Sequence, residues 1–589
     1  MVMESSSSKS IFLTWKDLIV KIPAGGGRNH GQPCYLLQNV SGYAEPGSLL
    51  AIMGLFGCGK TTLLNALAVN CYTLQWCLNE LVHSYVTQDD SLIATLTTYE
   101  TLVYSVQLQL PDIMTSFEKQ QRVQNTIREM GLQDCADTPV GGWYIRGLSG
   151  GQKRHLSIAI ETLKQRPLLF LDEPTSGLDS AAAFHVVKRL RMLAKAGRTL
   201  LISIHQPGSE VFGLFDFLCL LSSGQTVYFG ERMKAQELFD DAGFSCPPYR
   251  NPYDHFLWVI SSDFEETKDE ELGSEATTTS HKVQILIRSY ADSDINKAVA
   301  MTIQQASQKY MTHIMCFNCC QEGELIRKGD VGKASALKQT FYLTSRSFTN
   351  MRRDIAYYWF RLFVYTILAI CVGTIYYNVG HSFDAIQARA GLFIFVTGFL
   401  TFMGVASFPS FIEDIKIFTR ERLNGHYGVA VFVIANFLSA FPFVLLLAII
   451  PGVILYTMIG LHPDFDHFIC FIVTLLATLS VEEGLLIAIA SVAPDFLTGM
   501  IAGCGIMGMY LLNGRFFQLL RNLPKPVWRY PLSYMSFHTW ASKAFYNNDF
   551  QGLVFENNVM GCPPLTGRRY SRPGLICTWN TRNGGLSLC

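Results

Sequence analysis

Beyond Arg352-Arg353-Asp354 the chain carries five apolar runs, near 358–377, 388–409, 428–459, 467–493 and 496–512. These runs limit the fold more than any other feature. A backbone in hydrocarbon has no water to bond to, and an α-helix satisfies its N–H and C=O groups within one segment. About 20 apolar residues cross the hydrocarbon core, so the runs predict about five membrane helices. Pro442 and Pro451 fall inside the third, where they would kink it and free backbone groups that neighbouring helices can satisfy. Composition agrees, because 49% hydrophobic against 16% charged residues is rich in apolar side chains for a soluble chain, and 589 residues exceed a single core.

Basic residues set the orientation. Arg346, Arg352 and Arg353 precede the first run, and Lys416, Arg420 and Arg422 separate the second from the third, so both places are expected on the cytosolic side. The connection LHPDFDH at 461–467 has no Lys or Arg, as a non-cytosolic loop does. Glu482 and Glu483 lie inside the fourth run. They face either the bundle interior and a wet cavity or a helix end near the interface. Counting crossings puts residues after 512 on the far side, where Cys562, Cys577 and Cys589 would be open to oxidation. Arg515, Arg521, Lys525 and Arg529 crowd that side against the usual charge rule.

The first half reads differently. MVMESSSSKS lacks the basic start and apolar core of a signal peptide, so residues 1–10 are expected to be disordered and the following domain cytosolic. Residues 11–262 alternate β-rich runs (IFLTWKDLIV, TLLISI) with helical ones (AAAFHVVKRLRMLAKAG), the pattern of an α/β domain. From 263 to 336 the text is polar and charged and reads as a cytosolic linker with one or two surface helices. It holds His313, Cys316, Cys319 and Cys320, which read as solvated thiols, since no second C-x-x-C stands at zinc-finger distance. Lys+Arg and Asp+Glu balance at 47 each, which excludes a global field for nucleic acid, so phosphate affinity must be local.

That local site is GLFGCGKTT at 54–62, between the apolar SLLAIM and the helical LLNALA. Gly54, Gly59, Lys60 and Thr61 fit G-x-x-x-x-G-K-[ST], in which glycines let backbone N–H groups turn to phosphate and the lysine reaches the terminal phosphates. LLFLDEP at 168–174 is an apolar strand ending in Asp172, an acid to hold Mg²⁺, and Glu173, an acid placed to orient and deprotonate water. LSGGQ at 148–152 offers a hydroxyl and backbone N–H groups to phosphate and can open a helix. Gln88 in YVTQDD, Asp179 in SGLDS and His205 in LISIHQP follow the same order. Each motif has an ordinary structural reading alone. Six in sequence do not.

Together they resemble an ATP-binding cassette protein. The resemblance implies that Gly54, Gly57, Cys58, Gly59, Lys60, Thr61 and Thr62 bind ATP, that Thr61, Asp172 and Gln88 hold Mg²⁺, and that Glu173 is the general base. Gln88 and His205 would sense the γ-phosphate, and Asp179 would join the nucleotide-binding set. Ser149, Gly150, Gly151 and Gln152 would complete the ATP site of an opposite cassette, so one cradle and one signature imply a half-molecule. A nucleotide domain before the membrane domain is similar to the G subfamily, the white–brown complex half-transporters. FTRERLNGHYG at 418–428 and LPKPVWRYPLSYMSFH at 523–538 look closest to the plant branch that exports cuticular lipids.

The implied fold is an α/β P-loop cassette over 11–262 followed by an all-α polytopic membrane domain over 337–545, with 416–427 the segment on which the cassette pushes. The implied function is ATP-driven export of lipids or other hydrophobic molecules across the plasma membrane. The implied partners are a second half-transporter, identical or different, together with membrane lipid and hydrophobic substrate. Two departures stand out. VNCYTLQWCLNELVH replaces the strands expected between Lys60 and Gln88, and residues 546–589 form an atypical tail without a sixth apolar run. They leave open an alternative, a non-transporting or dominant-negative dimerisation partner.

Overall fold

In the computed structural model the described residues are 11–22, 34–68, 83–142, 145–261, 279–306, 334–354, 358–513, 523–551 and 553–555, with short backbone stretches at 565–566, 578–580 and 585–587. Expectations for residues 1–10, for 69–82, for His313 with Cys316, Cys319 and Cys320, for Arg515 and Arg521, and for the tail cysteines lie outside them. The chain divides into two units, Met1–Tyr342 with Arg420–Gly428, and Leu343–Thr419 with Val429–Cys589.

The first unit is built on strands β1 (Leu13–Ile22), β2 (Cys34–Ala44), β3 (Leu49–Gly54), β4 (His83–Val86), β5 (Leu168–Leu171), β6 (Thr199–Ser203), β7 (Phe217–Ser222) and β8 (Gln225–Glu231). Its six-stranded sheet runs β4-β5-β6-β3-β7-β8. The pairs are parallel except β7–β8, which is antiparallel. Strands covered on both faces read as unbroken apolar runs, and every residue of LLAIMG in β3 and LLFL in β5 is buried. The antiparallel pair β1–β2 joins this sheet through aromatic rings, Trp15 and Tyr43 each meeting Phe229 edge-on.

The helices around it are α1 (60–68), α2 (Thr98–Gln109), α3 (Ser116–Met130), α4 (Gly150–Thr162), α5 (Ser180–Lys195), the single turn α6 (Ser209–Phe212), α7 (Arg232–Asp241), α8 (Pro252–Ile260), α9 (Thr279–Asp292) and α10 (294–306). Thr97, Thr115 and Ser149 open α2, α3 and α4 with full capping boxes, each hydroxyl answered by the Glu or Gln three residues on. Helices α9 and α10 fall where the sequence reads as a polar linker. Their Leu286, Tyr290, Val299 and Ile303 are buried in the core of this unit, because helical spacing gathers the few apolar residues onto one face.

The second unit is helical: α11 (Ala336–Arg353) leads into it, followed by α12 (Phe360–Ile375), α13 (Phe383–Met403), α14 (Phe408–Leu423), α15 (Val429–Ile459), α16 (Phe465–Val492), α17 (Phe496–Leu512), the short turn α18 (Ser533–Met535) and α19 (Phe537–Phe550). Three helical runs among the described residues, Phe383–Leu423, Val429–Ile459 and Phe465–Val492, are long and apolar enough to cross a membrane. The two shorter ones, α12 and α17, are about 24 Å long, against a hydrocarbon core of about 30 Å. Pro442 and Pro451 both sit inside the continuous α15. Small residues let helices close up: a Cβ on Gly452 would lie 2.5 Å from Ile472 Cδ1, and one on Gly404 would collide with the Glu482 carboxylate. Glu482 and Glu483 are both buried, and Glu483 pairs with Arg361 at 2.7 Å, so the interior placement is the one adopted.

Helix α19 lies beyond the last apolar run of the sequence. SFHTWASKAFYNND has no apolar window, yet it packs against α13, α16 and α17 by burying His538, Thr539, Phe545 and Asp549.

Candidate nucleotide site

The parallel strands decide where the site lies. GLFGCGKTT follows β3, Gln88 follows β4, Asp172 and Glu173 follow β5, and His205 follows β6. In the sheet order β4-β5-β6-β3 these are adjacent strands, and Val86 pairs with Leu171, Leu171 with Ile202 and Ile52 with Ser203, so their carboxyl ends are level. Ligand sites of open α/β sheets lie at such ends.

Gly54, Gly57 and Gly59 have φ of 147°, 75° and 101°, and a Cβ on Gly54 would meet the Leu221 carbonyl at 2.3 Å. The loop therefore requires glycine at its ends, whereas Leu55, Phe56 and the buried Cys58 fit between them. Lys60, Thr61 and Thr62 open α1, whose N-terminus favours an anion. The Lys60 Nζ donates to the carbonyls of Gly54 (3.0 Å) and Leu55 (2.9 Å), leaving one N–H and the charge directed to the loop.

Asp172 is buried beside it. Its Oδ1 accepts from Thr61 Oγ1 at 3.1 Å and Ser203 Oγ at 2.5 Å, and its Oδ2 accepts from the Tyr85 hydroxyl at 3.4 Å. Burial, then the charge of Asp172, holds the Tyr85 phenol far above its ordinary value, so it stays a donor. Glu173 sits at φ 42°, a strained conformation for a residue with a side chain, its N–H donating to Ser203 Oγ at 2.8 Å. Gln88 Nε2 donates to Glu173 Oε2 at 2.9 Å, which turns the amide oxygen of Gln88 away from the carboxylate. His205 stacks on Phe56 with centroids 4.0 Å apart, and burial, then the nearby Lys60 charge, holds it below its ordinary value and neutral at neutral pH.

The signature sits at a second place. Ser149 is the N-cap of α4: its Oγ accepts from the Gln152 N–H at 3.3 Å, while Gln152 Oε1 accepts from the Ser149 N–H at 2.9 Å. Gly150 and Gly151 lie against Leu178 and Ala182, on either side of Asp179, which caps α5 without a side-chain bond. Thr61, Asp172, Glu173 and Gln88 are thus linked by contacts through Ser203, Lys60 and His205 meet at Phe56, and Ser149 to Gln152 form a separate N-terminus with Asp179 near it.

Three participants escaped the sequence reading. Arg154, in α4, is 3% exposed and donates to the carbonyls of Thr87 (2.7 Å), Gln88 (3.0 Å) and Asp172 (2.8 Å) and to the Asp90 carboxylate (2.9 Å). Tyr85 trades two backbone bonds with the Asn424 side chain, its N–H donating to Oδ1 and its carbonyl accepting from Nδ2, each at 2.8 Å. Asn424 lies in Arg420–Gly428, inside the first unit, where its carbonyl also accepts from Arg166 NH2 at 3.1 Å. Asn424 lies within the singled-out FTRERLNGHYG, but nothing local marks the contacts themselves, since the partners are far apart in the chain and mostly main-chain atoms.

Residues 37–176 match the family described as ABC transporter, and residues 338–550 and 205–272 match families described as ABC-2 type transporter. The chain is 48% identical to ABC transporter G family member 11 of Arabidopsis thaliana over 569 residues, covering 92% of this chain and 78% of the relative. It is 46% identical to ABC transporter G family member 1 of Petunia hybrida, covering 92% and 84%. It is 32% identical to the broad substrate specificity ATP-binding cassette transporter ABCG2 of Bos taurus, covering 90% and 82%. Each alignment runs through both units.

Proposed function

Since the chain belongs to the ABC transporter G family, an integral membrane protein that couples ATP hydrolysis to transport, we propose that it is a half-transporter whose cytosolic cassette closes with that of a second half-transporter to export lipids or other hydrophobic molecules across the plasma membrane. The observation that carries this reading is the short path from Asp172 through Tyr85 to Asn424, because it joins the acid of the nucleotide site to the segment between α14 and α15. A change at the phosphates has a direct route to a loop that continues into α14 on one side and the apolar α15 on the other.

In this reading Lys60 and the N–H groups of 57–61 bind the β- and γ-phosphates of ATP. The hydroxyl of Thr61, the carboxylate of Asp172 and the amide oxygen of Gln88 are hard oxygen donors, the set that suits Mg²⁺, which when bound neutralises developing phosphate charge. Glu173, held by Gln88, orients water and takes its proton at the carboxylate. Neutral His205 offers a ring N–H to the γ-phosphate. Ser149 and the amides of Gly150 and Gly151, already at a helix N-terminus, face the phosphates of the partner's nucleotide, and Asp179 lies beside them. Arg154 holds both the 87–90 loop and the Asp172 backbone, so a shift of α4 on closure is felt by both.

For cargo, a cavity of about 160 Å³, lined mainly by apolar residues such as Phe432, Phe437 and Ile487 with Asn436, Ser480 and Glu483 among them, supports a largely hydrophobic substrate. Ligand pockets run to about 300–1,000 Å³, so this one would be a wall of a chamber that the partner completes. Glu173→Gln should keep ATP binding and lower hydrolysis by about 10²–10⁴-fold. Wild-type hydrolysis by the purified variant would remove Glu173 from the base role. Wild-type ATPase that moves no cargo in vesicles would favour the non-transporting partner.

A further inference from the structure

We infer that His462 and Asp464, in the turn between α15 and α16, and His467, in the first turn of α16, form a binding site for a divalent ion of the zinc class. One ligand atom from each lies within 4.8 Å of the other two. The turn is held before any ion arrives. Gly460, at φ 67°, ends α15, and the Tyr456 hydroxyl donates to the His462 carbonyl at 2.6 Å.

His467 has its tautomer set for coordination. Its Nδ1 faces two acceptors, the Asn548 carbonyl at 2.6 Å and Asn548 Oδ1 at 3.1 Å, so Nδ1 carries the proton and Nε2 keeps a lone pair. A histidine whose other nitrogen donates to a carbonyl is the usual metal-binding arrangement. Asn548 Nδ2 donates back to the His467 carbonyl at 2.7 Å, fixing the first turn of α16 to α19. Asp464 occupies the N-cap of α16, yet its side chain makes no capping bond; Oδ2 lies 3.5 Å from His462 Nδ1 instead.

The charge balance permits a cation. Arg389, which donates to the Gly460 carbonyl at 3.3 Å, is matched by Asp549 through two bonds of 2.9 Å, and the stretch LHPDFDH has no basic residue besides its histidines. Two imidazoles and one carboxylate suit Zn²⁺ rather than Mg²⁺ or Ca²⁺. A tetrahedral ion at 2.0–2.1 Å needs ligand atoms about 3.3 Å apart. The His462 and His467 rings stack at 3.8 Å with 23° between planes, and the Asp464 N–H donates to His462 Nδ1 at 3.4 Å, so binding turns the His462 ring out of the stack, releases that contact and draws in the exposed Asp464 carboxylate. Water fills the fourth position. The ion would clamp the α15–α16 turn onto α19.

The test uses full-length, untagged chain, purified in detergent with a chelator and titrated with Zn²⁺ by calorimetry, with X-ray absorption at the zinc edge. The expected result is one ion per chain in a nitrogen and oxygen shell bearing the imidazole signature. Asp464→Asn and His467→Ala should each weaken binding at least tenfold, since even outer partners of a metal site are worth about 10–100-fold. Unchanged affinity in both variants, no Zn²⁺ bound by wild type, or a shell of sulfur at about 2.3 Å would overturn the site. The wild-type spectrum decides if a variant fails to fold.

Discussion

Two of the buried arginines, Arg154 in the first unit and Arg389 in the second, are used in opposite ways. Arg154, 3% exposed, spreads its bonds over the main chain of two loops, at Thr87, Gln88 and Asp172, and over Asp90. Arg389, 0% exposed, puts two bonds on the single carboxylate of Asp549 and the rest on the turn carbonyls of Gly380 and Gly460. A buried charge tied to loop carbonyls can follow loops that move with nucleotide. A charge locked to a buried countercharge fixes α13 to α19 and has no cheap alternative. In the proposed cycle Arg154 thus serves turnover, and Arg389 serves assembly.

The contrast breaks most readily at Arg389. Arg389→Ala leaves the Asp549 carboxylate buried without its partner and should cost about 3–5 kcal/mol, seen as a large drop in the melting temperature of the detergent-solubilised chain. Arg154→Ala should instead remove most ATPase activity for a smaller loss of stability. Equal melting of Arg389→Ala and wild type, or equal ATPase of Arg154→Ala and wild type, would erase the distinction.

Next in size is Asn424→Ala. It deletes two reciprocal bonds with Tyr85, each worth about 0.5–1.5 kcal/mol, while touching no group that meets ATP. Basal ATPase should persist and its stimulation by transported substrate should fall. Full stimulation would sever the path from Asp172 to the 420–428 segment.

The smallest effect is on pH. His83 and His155 in the first unit are pushed down to about 4, chiefly by burial and then by Arg166 and Arg189 respectively. Between about 4 and the ordinary histidine value near 6.5 the unfolded chain binds more protons than the folded one, so stability falls as pH drops through that window. Unfolding of the first unit, followed by hydrogen exchange, should become easier from pH 6.5 to 4. A flat profile would mean these rings are hydrated.

Much of the first unit was legible because its site hangs on strand ends: an apolar run followed by GLFGCGKTT, DE or HQ marks both strand and ligand group at once. Ser149 and Gln152 were legible for the same reason, being a capping box as well as a signature. Tyr85 and Asn424 were not, since they stand 339 residues apart and meet through an amide and a main chain that carry no sequence signal. The apolar runs announced α12, α13, α15, α16 and α17, whereas α19 hid because its buried face mixes polar with apolar residues: His538 meets Thr401 at 2.9 Å and Asp549 meets Arg389, beside Phe545 stacked on Phe393. Hydropathy underrates a helix that buries hydrogen-bonded polar groups among its apolar ones.

In the proposed dimer each chain supplies one cradle and one signature, and so half of each of two ATP sites. Lys60→Ala chains and Ser149→Ala chains, each inactive alone, should regain ATPase activity when they are co-assembled, because the mixed dimer pairs an intact cradle from one chain with an intact signature from the other. Recovery in proportion to the mixed dimer is the predicted result. Mixed dimers that form and stay inactive, or full activity in a chain verified as a monomer, would contradict it.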